Sequence, residues 1–353
     1  MGIFNNVLRA DQTLFKSEES LAPEFVPKLL PFREGEQKRI ASCIAPLLNN
    51  RNGRNAFIVG APGIGKTAAC KHILRELEEE SDEIHTIYIN CWQRNTTYKI
   101  LLGICEELNY AFTQNKKTDE LSKIAAEIIN KKAAVLVFDE LDKCDDHDFL
   151  YTLLEDLYKK SIICITNYRS ALLNLDERIK SRLIPEILNF KEYNAQETHH
   201  ILKERTTYAF FDGVWTSPLL QRVADKTTQL KDIRTGLFLL KEAGLQAEET
   251  QAKQVTDTHI QTALTKLDQF TIKSSADLEE DEQFILSLVK ESPGKKIGDL
   301  YRLYQSKGGK SSYKTFQRRI SKLGEGHYVS LEKTHTGGTT TIVNKKITDY
   351  TPP

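Results

Sequence analysis

Nothing in this 353-residue sequence has the spacing of a zinc site or a disulfide framework. The six cysteines form no C-x-x-C pair, and several sit in apolar runs, where cysteine behaves as a small hydrophobe. The eight histidines include no H-E-x-x-H. No apolar run approaches the ~20 residues that cross a bilayer. The opening MGIFNNVLRADQTLFK lacks the uninterrupted apolar core of a secretion signal. Internal repeats and low-complexity stretches are missing too. These absences point to a soluble protein of a reducing compartment, cytoplasmic and without a membrane partner. Net charge is also missing, since 49 basic side chains meet 49 acidic ones. Whole-chain charge therefore says nothing about partners.

The distribution of charge is more informative. From Lys290 to the end, thirteen basic residues stand against five acids, a surplus of eight that the rest of the chain offsets. A basic module at the C-terminal end is suited to nucleic acid.

Short apolar runs at residues 56–60, 86–90, 134–139, 162–166 and 185–189 alternate with amphipathic helical patterns. That is the signature of a parallel sheet covered by helices, an α/β fold. From residue 194 to about 270 the pattern is helical only. One helix runs over 194–211. Another opens at Ser217-Pro218, with serine as cap and proline in the first turn. A third covers 232–243 and is expected to stop at Gly244, and a last one starts near Asp257. An acidic stretch at 274–282 reads as a joint. Helical segments at 281–290, 296–307 and 311–323 then precede two extended segments at 328–333 and 339–345. Three helices and a hairpin describe a winged helix. The expected division is residues 1–192 (with 1–24 an extension), 193–273 and 274–353.

Gly60-Ala61-Pro62-Gly63-Ile64-Gly65-Lys66-Thr67 matches G-x-x-x-x-G-K-[ST] between a strand and a helix, the context that confirms a P-loop. Its glycines let successive N–H groups curl around phosphates, helped by the helix N-terminus that Ala68 enters. Lys66 is placed to neutralise the β- and γ-phosphates of ATP or ADP, and the Thr67 hydroxyl to ligate Mg2+. About seventy residues on, an apolar strand ends in Asp139-Glu140. Asp139 would hold Mg2+ through water, and Glu140 would polarise the attacking water. Asn167 follows the next buried strand and can hold the γ-phosphate or that water.

The acidic strand is not the next strand after the P-loop in sequence, which resembles the AAA+ group of P-loop ATPases. Arg178 and Arg182 lie one helical turn apart on one face. Their segment resembles the AAA+ helix that points an arginine finger into a neighbouring subunit; Arg182 is the favoured finger, Arg178 the second. Arg234 resembles the lid arginine that reports the γ-phosphate.

More specific segments resemble the archaeal origin-recognition and cell-division-control family of AAA+ replication initiators. The opening FVPKLLPFRE at 25–34 is similar to the motif whose Val26, Pro27 and Arg33 would pack around adenine. INCWQRNTTY at 89–98 is similar to the start of the initiator-specific insertion, where Arg94 would touch DNA. The resemblance departs at the wing tip, THTGGTTT at 334–341, which is often Arg- and Gly-rich in the family. In helix 311–323, Lys310, Lys314, Gln317, Arg318 and Lys322 line a polar side suited to a major groove. Tyr313, Phe316, Ile320 and Leu323 mark the buried stripe. The resemblance implies a DNA-binding initiator with slow hydrolysis as a switch. Its partners would be origin duplex, homologous initiator subunits and the replicative minichromosome maintenance helicase. A signalling ATPase using its winged helix for protein contacts, or a transposition or partition regulator, is the alternative.

Overall fold

The computed structural model describes residues 13–276, 280–325, 328–334 and 340–345. The chain divides into two compact units, the first reaching Ala263 and the second beginning at Leu264.

In the first unit, β1 (Ala56–Val59), β2 (Ile84–Asn90), β3 (Ala133–Asp139), β4 (Lys160–Thr166) and β5 (Glu186–Asn189) form one sheet. Its order is β2-β3-β4-β1-β5, and every pairing is parallel. All residues of β3 and β4 are buried, as a strand covered on both faces requires. Successive side chains of β3 sort into two cores. Ala134, Leu136 and Phe138 face one, with α3 (Thr97–Glu107), α4 (Thr118–Ile129) and α5 (Asp148–Asp156). Ala133, Val135 and Val137 face the other, with α1 (Glu34–Leu48) and α2 (Lys66–Glu80). The five expected strands are present, with β2 and β4 each starting two residues earlier than expected. The short helices α6 (Ser170–Asn174) and α7 (Glu177–Leu183) link β4 to β5.

Helices α8 (Ala195–Ala209), α9 (Ser217–Leu230), α10 (Ile233–Glu249) and α11 (Asp257–Ala276) follow. Local chemistry sets their starts. Asn194 and Glu197 close a capping box on α8, and the Asp232 side chain accepts from Arg234 N to cap α10. The serine cap expected for α9 is corrected: Ser217 is the first helical residue and Thr216 the cap, without a side-chain bond, while Pro218 sits in the first turn as expected. The stop expected at Gly244 is corrected, because α10 continues to Glu249. Gly244 serves close packing instead: a Cβ there would lie 2.6 Å from ring carbons of both Phe15 and Phe210. Residues 14 and 15 belong to this helical layer, with Phe15 bridged to Phe210.

The second unit holds α12 (Glu280–Glu291), α13 (Ile297–Ser306) and α14 (Tyr313–Glu325). A three-stranded antiparallel sheet accompanies them, in the order β6 (Lys295–Lys296), β8 (Thr340–Lys345), β7 (Val329–Thr334). This is the element order of a winged helix. Its core joins Ile285 and Val289 to Leu300, Tyr304, Phe316, Ile320 and Leu323. Tyr313 is corrected: expected in the buried stripe, it is 39% exposed and meets the Tyr301 ring edge-on. The acidic joint falls partly in α11 and α12, while residues 277–279 lie outside the described residues, as does the wing tip at 335–339. Among the described residues, no helix is long and apolar enough to cross a membrane.

Candidate nucleotide site and nucleic-acid interface

The P-loop connects β1 to α2 at the carboxyl edge of the sheet. Gly63 and Gly65 adopt φ of 72° and 89°, a left-handed backbone that glycine enters at little cost. Lys66 is 7% exposed. Its Nζ donates to the carbonyls of Gly60 (2.7 Å) and Ala61 (2.8 Å) and to Asn167 Oδ1 (2.9 Å). Burial brings the ammonium down to about 8, with Asp139 opposing that shift. Asn167 is thus beside the phosphate lysine, although 101 residues separate them in sequence.

Because β4 lies between β1 and β3, the acidic strand is one strand removed from the P-loop strand. Asp139 Oδ2 accepts from Thr67 Oγ1 at 2.6 Å and from the Tyr88 hydroxyl at 2.7 Å. Asp139 Oδ1 accepts from Glu140 N at 2.9 Å. One carboxylate and one hydroxyl side by side are hard oxygen donors, the small protein set that suits Mg2+ when phosphates and waters complete its shell. Glu140 turns out of the strand with φ of 56°, and burial together with Asp139 pushes its carboxyl above the ordinary value. Sequence reasoning missed Tyr88 and Asp142. Asp142 Oδ1 accepts from Thr166 Oγ1 (2.8 Å) and Asn167 N (3.3 Å), and so holds the tip of β4.

Arg33 is 3% exposed. Its Nε and Nη2 donate to the Ile64 carbonyl at 3.1 and 2.9 Å, and Nη2 also donates to Lys191 O at 2.6 Å. The guanidinium lies 3.9 Å from the Tyr193 ring centre. Arg33 therefore braces the P-loop from behind. Val26 and Pro27 lie in the same irregular segment. The start of α10 reaches the loop as well: Ile233 N donates to Gly63 O at 3.2 Å. Arg234 pairs with Asp232 at 2.7 Å and is half-exposed, close enough to Glu140 to feel its charge.

Arg178 and Arg182 do share a face of α7, and both guanidinium groups sit over Tyr151, at 5.6 and 4.9 Å. Arg178 pairs with Asp176 (3.1 Å) and Arg182 with Glu155. Arg182 lines a cavity of about 430 Å³ with Asn55, the residue before β1. It thus stands at the opposite end of β1 from the P-loop. Arg94 folds onto its own neighbourhood, paired with Glu106 and lying against Gly103.

On α14, Lys314, Gln317 and Arg318 are exposed, as is Lys310 just before it. Lys322 is placed differently: its Nζ lies 2.6 Å from Oε1 of Glu282, a buried carboxylate on α12. Arg319, unmentioned in the sequence reading, binds Asp281 and Ser311 and ties α14 to α12.

The chain matches the AAA domain family over residues 49–167 and the Cdc6 AAA+ ATPase-type lid domain over residues 199–265. It is 35% identical over 268 residues to ORC1-type DNA replication protein 1 of Sulfurisphaera tokodaii, covering 72% of this chain and 67% of that one. It is 31% identical over 345 residues to ORC1-type DNA replication protein 1 of Archaeoglobus fulgidus, covering 92% and 84%. Among solved structures, the Aeropyrum pernix ORC1 protein in complex with DNA superimposes with a TM-score of 0.71 at 25% identity, covering 95% of this chain and 94% of that one. A P-loop facing an acidic strand, a lid docked on the loop and these likenesses lead to one conclusion: the chain belongs to the family of ORC1-type DNA replication proteins.

Proposed function

We propose that this protein is an ATP-switched replication initiator that binds origin duplex and helps to recruit or load the minichromosome maintenance helicase. The observation that carries the switch is the pair of contacts on Asp139 Oδ2. Thr67 from the P-loop helix and the acidic strand meet there, and these two residues would hold Mg2+. Lys66 and the loop N–H groups take the phosphates, Glu140 orients water, and Asn167 and Arg234 read the γ-phosphate. Mg2+ would supply neutralisation of the phosphate charge. Hydrolysis is slow until a homologous subunit brings Arg182, or in second place Arg178, to the site.

DNA binding falls to the second unit, with Lys310, Lys314 and Arg318 on phosphates and Gln317 near base edges. The division at residues 1–192, 193–273 and 274–353 would then separate nucleotide grip, lid and DNA reader. Arg94 joins the DNA contacts only by leaving Glu106. The setting is the cytoplasm, on the nucleoid.

Retention of chromosomal fragments at rising salt, with and without ATP, tests this reading. A few fragments should survive to higher salt than the rest, and more so with ATP in the parent than in Lys66→Ala. Equal retention of all fragments at every salt concentration would remove origin recognition. A parent protein with no nucleotide affinity would remove the switch.

A further inference from the structure

Residues 22–33 carry no helix or strand, yet they are held from three sides. Arg205, on α8 of the lid, is 8% exposed. It donates Nη1 to Ser20 O at 3.0 Å and Nη2 to Phe25 O at 3.2 Å, with its guanidinium 5.0 Å from the Phe25 ring centre. From the P-loop helix α2, His72 Nε2 donates to Lys28 O at 2.7 Å. At the far end, Arg33 grips Ile64 of the P-loop itself. Phe32, at φ of 64°, meets His200 of α8 edge-on at 5.3 Å.

The phosphates of a bound nucleotide face Lys66 and Asp139, which leaves its base and ribose to whatever flanks the loop. Residues 25–33 flank it, since they are bonded both to Ile64 and to the helix behind. A segment with no ladder of its own pays ordering entropy each time it forms a binding wall. A guanidinium buried at this cost, with two donors spent on main-chain carbonyls, removes that freedom in advance.

We propose that Arg205 is a positioning residue for the nucleoside part of the ligand: from the lid, it sets the path of residues 20–28 beside the P-loop. The proposal rests on the nucleotide reading and adds that the wall and the lid are assembled together.

Equilibrium titrations with ATP and with inorganic triphosphate, which has no base, test it on the full chain. Arg205→Ala should weaken ATP about tenfold while triphosphate changes less than about twofold. Arg205→Lys, which keeps the charge over Phe25 with fewer directed donors, should fall between. Unchanged ATP affinity in Arg205→Ala overturns the proposal, and so does an equal loss of ATP and triphosphate. If Arg205→Ala does not fold, Arg205→Lys and Phe25→Leu carry the same comparison, and parental ATP affinity in both overturns it. A parent that binds neither ligand would instead sink the nucleotide reading.

Discussion

The three donors of Lys66 are occupied by Gly60, Ala61 and Asn167. An incoming phosphate must displace those partners and offer a full charge in return. Lys66→Ala should therefore abolish the rise in melting temperature that saturating ATP gives the parent, a shift that ligand linkage predicts. Glu140→Gln keeps the shape of the side chain but not its basicity. Phosphate release should fall by at least about a hundredfold, the usual weight of a general base, while ATP affinity measured by titration stays near the parental value. Tyr88→Phe removes one of the two hydroxyls on Asp139 Oδ2. A hydrogen bond to a charged group is worth about 1.5–3 kcal/mol. The Mg2+ concentration giving half-maximal ATP binding should rise, and an unchanged value would deny Tyr88 this role. The P-loop and Asp139-Glu140 were legible because their chemistry is contiguous in the chain. Tyr88, Asp142, His72 and Arg205 were not, since each earns its place through a partner brought near only by strand pairing or by docking of the lid.

Helix starts were easier to read than helix ends. Asn194 and Asp232 announce α8 and α10 through caps that satisfy exposed N–H groups, and Pro218 announces α9 by fixing φ in its first turn. Gly244 looked like a terminator, but α10 passes through it because the missing side chain makes room for Phe15 and Phe210. Gly244→Ala should lower stability by about 1–3 kcal/mol, the range for overpacking a tight contact, as read by denaturant unfolding. Strand β6 escaped notice because two lysines have no strand pattern of their own; pairing with Ile342 and Val343 defines it. The polar face of α14 was legible as a set of basic residues, but not the division of labour within it. Lys314→Ala should weaken duplex binding and shallow the salt slope by about one unit. Lys322→Ala should leave that slope nearly unchanged and lower the stability of the second unit, because it removes a cationic partner of the buried Glu282.

At the scale of the molecule, Arg182 lies at the end of the sheet away from its own P-loop, so on the proposed reading its chemistry would act on another copy. Arg182→Ala and Lys66→Ala proteins should each hydrolyse ATP poorly alone and regain measurable turnover when mixed. No recovery on mixing would argue against action between subunits. Stability should also depend on pH in a defined direction. Burial pulls the His147 imidazole below its ordinary value, against the pull of the Leu141 backbone and neighbouring carboxylates. The unfolded chain then takes up a proton near pH ~6.5 that the folded protein resists. The stabilising contribution is complete above that pH and is lost as pH falls toward the depressed folded value. Denaturation midpoints at pH 7.5 and 5.5 should differ less in His147→Gln than in the parent. The alternation of apolar runs and helices made the layered architecture readable. The insertion of β4 between β1 and β3 was not readable, because strand order is decided by tertiary pairing.

The bond between Ile233 N–H and the Gly63 carbonyl joins the first peptide of a 17-residue rod to the turn that wraps the phosphates. The Asp232 carboxylate that caps the rod also lies against Gly63. If that turn tightened or slackened by a fraction of an ångström, the rod would have to follow or let go, so on the proposed reading the loss of a single phosphoryl group would have a direct mechanical handle on the lid.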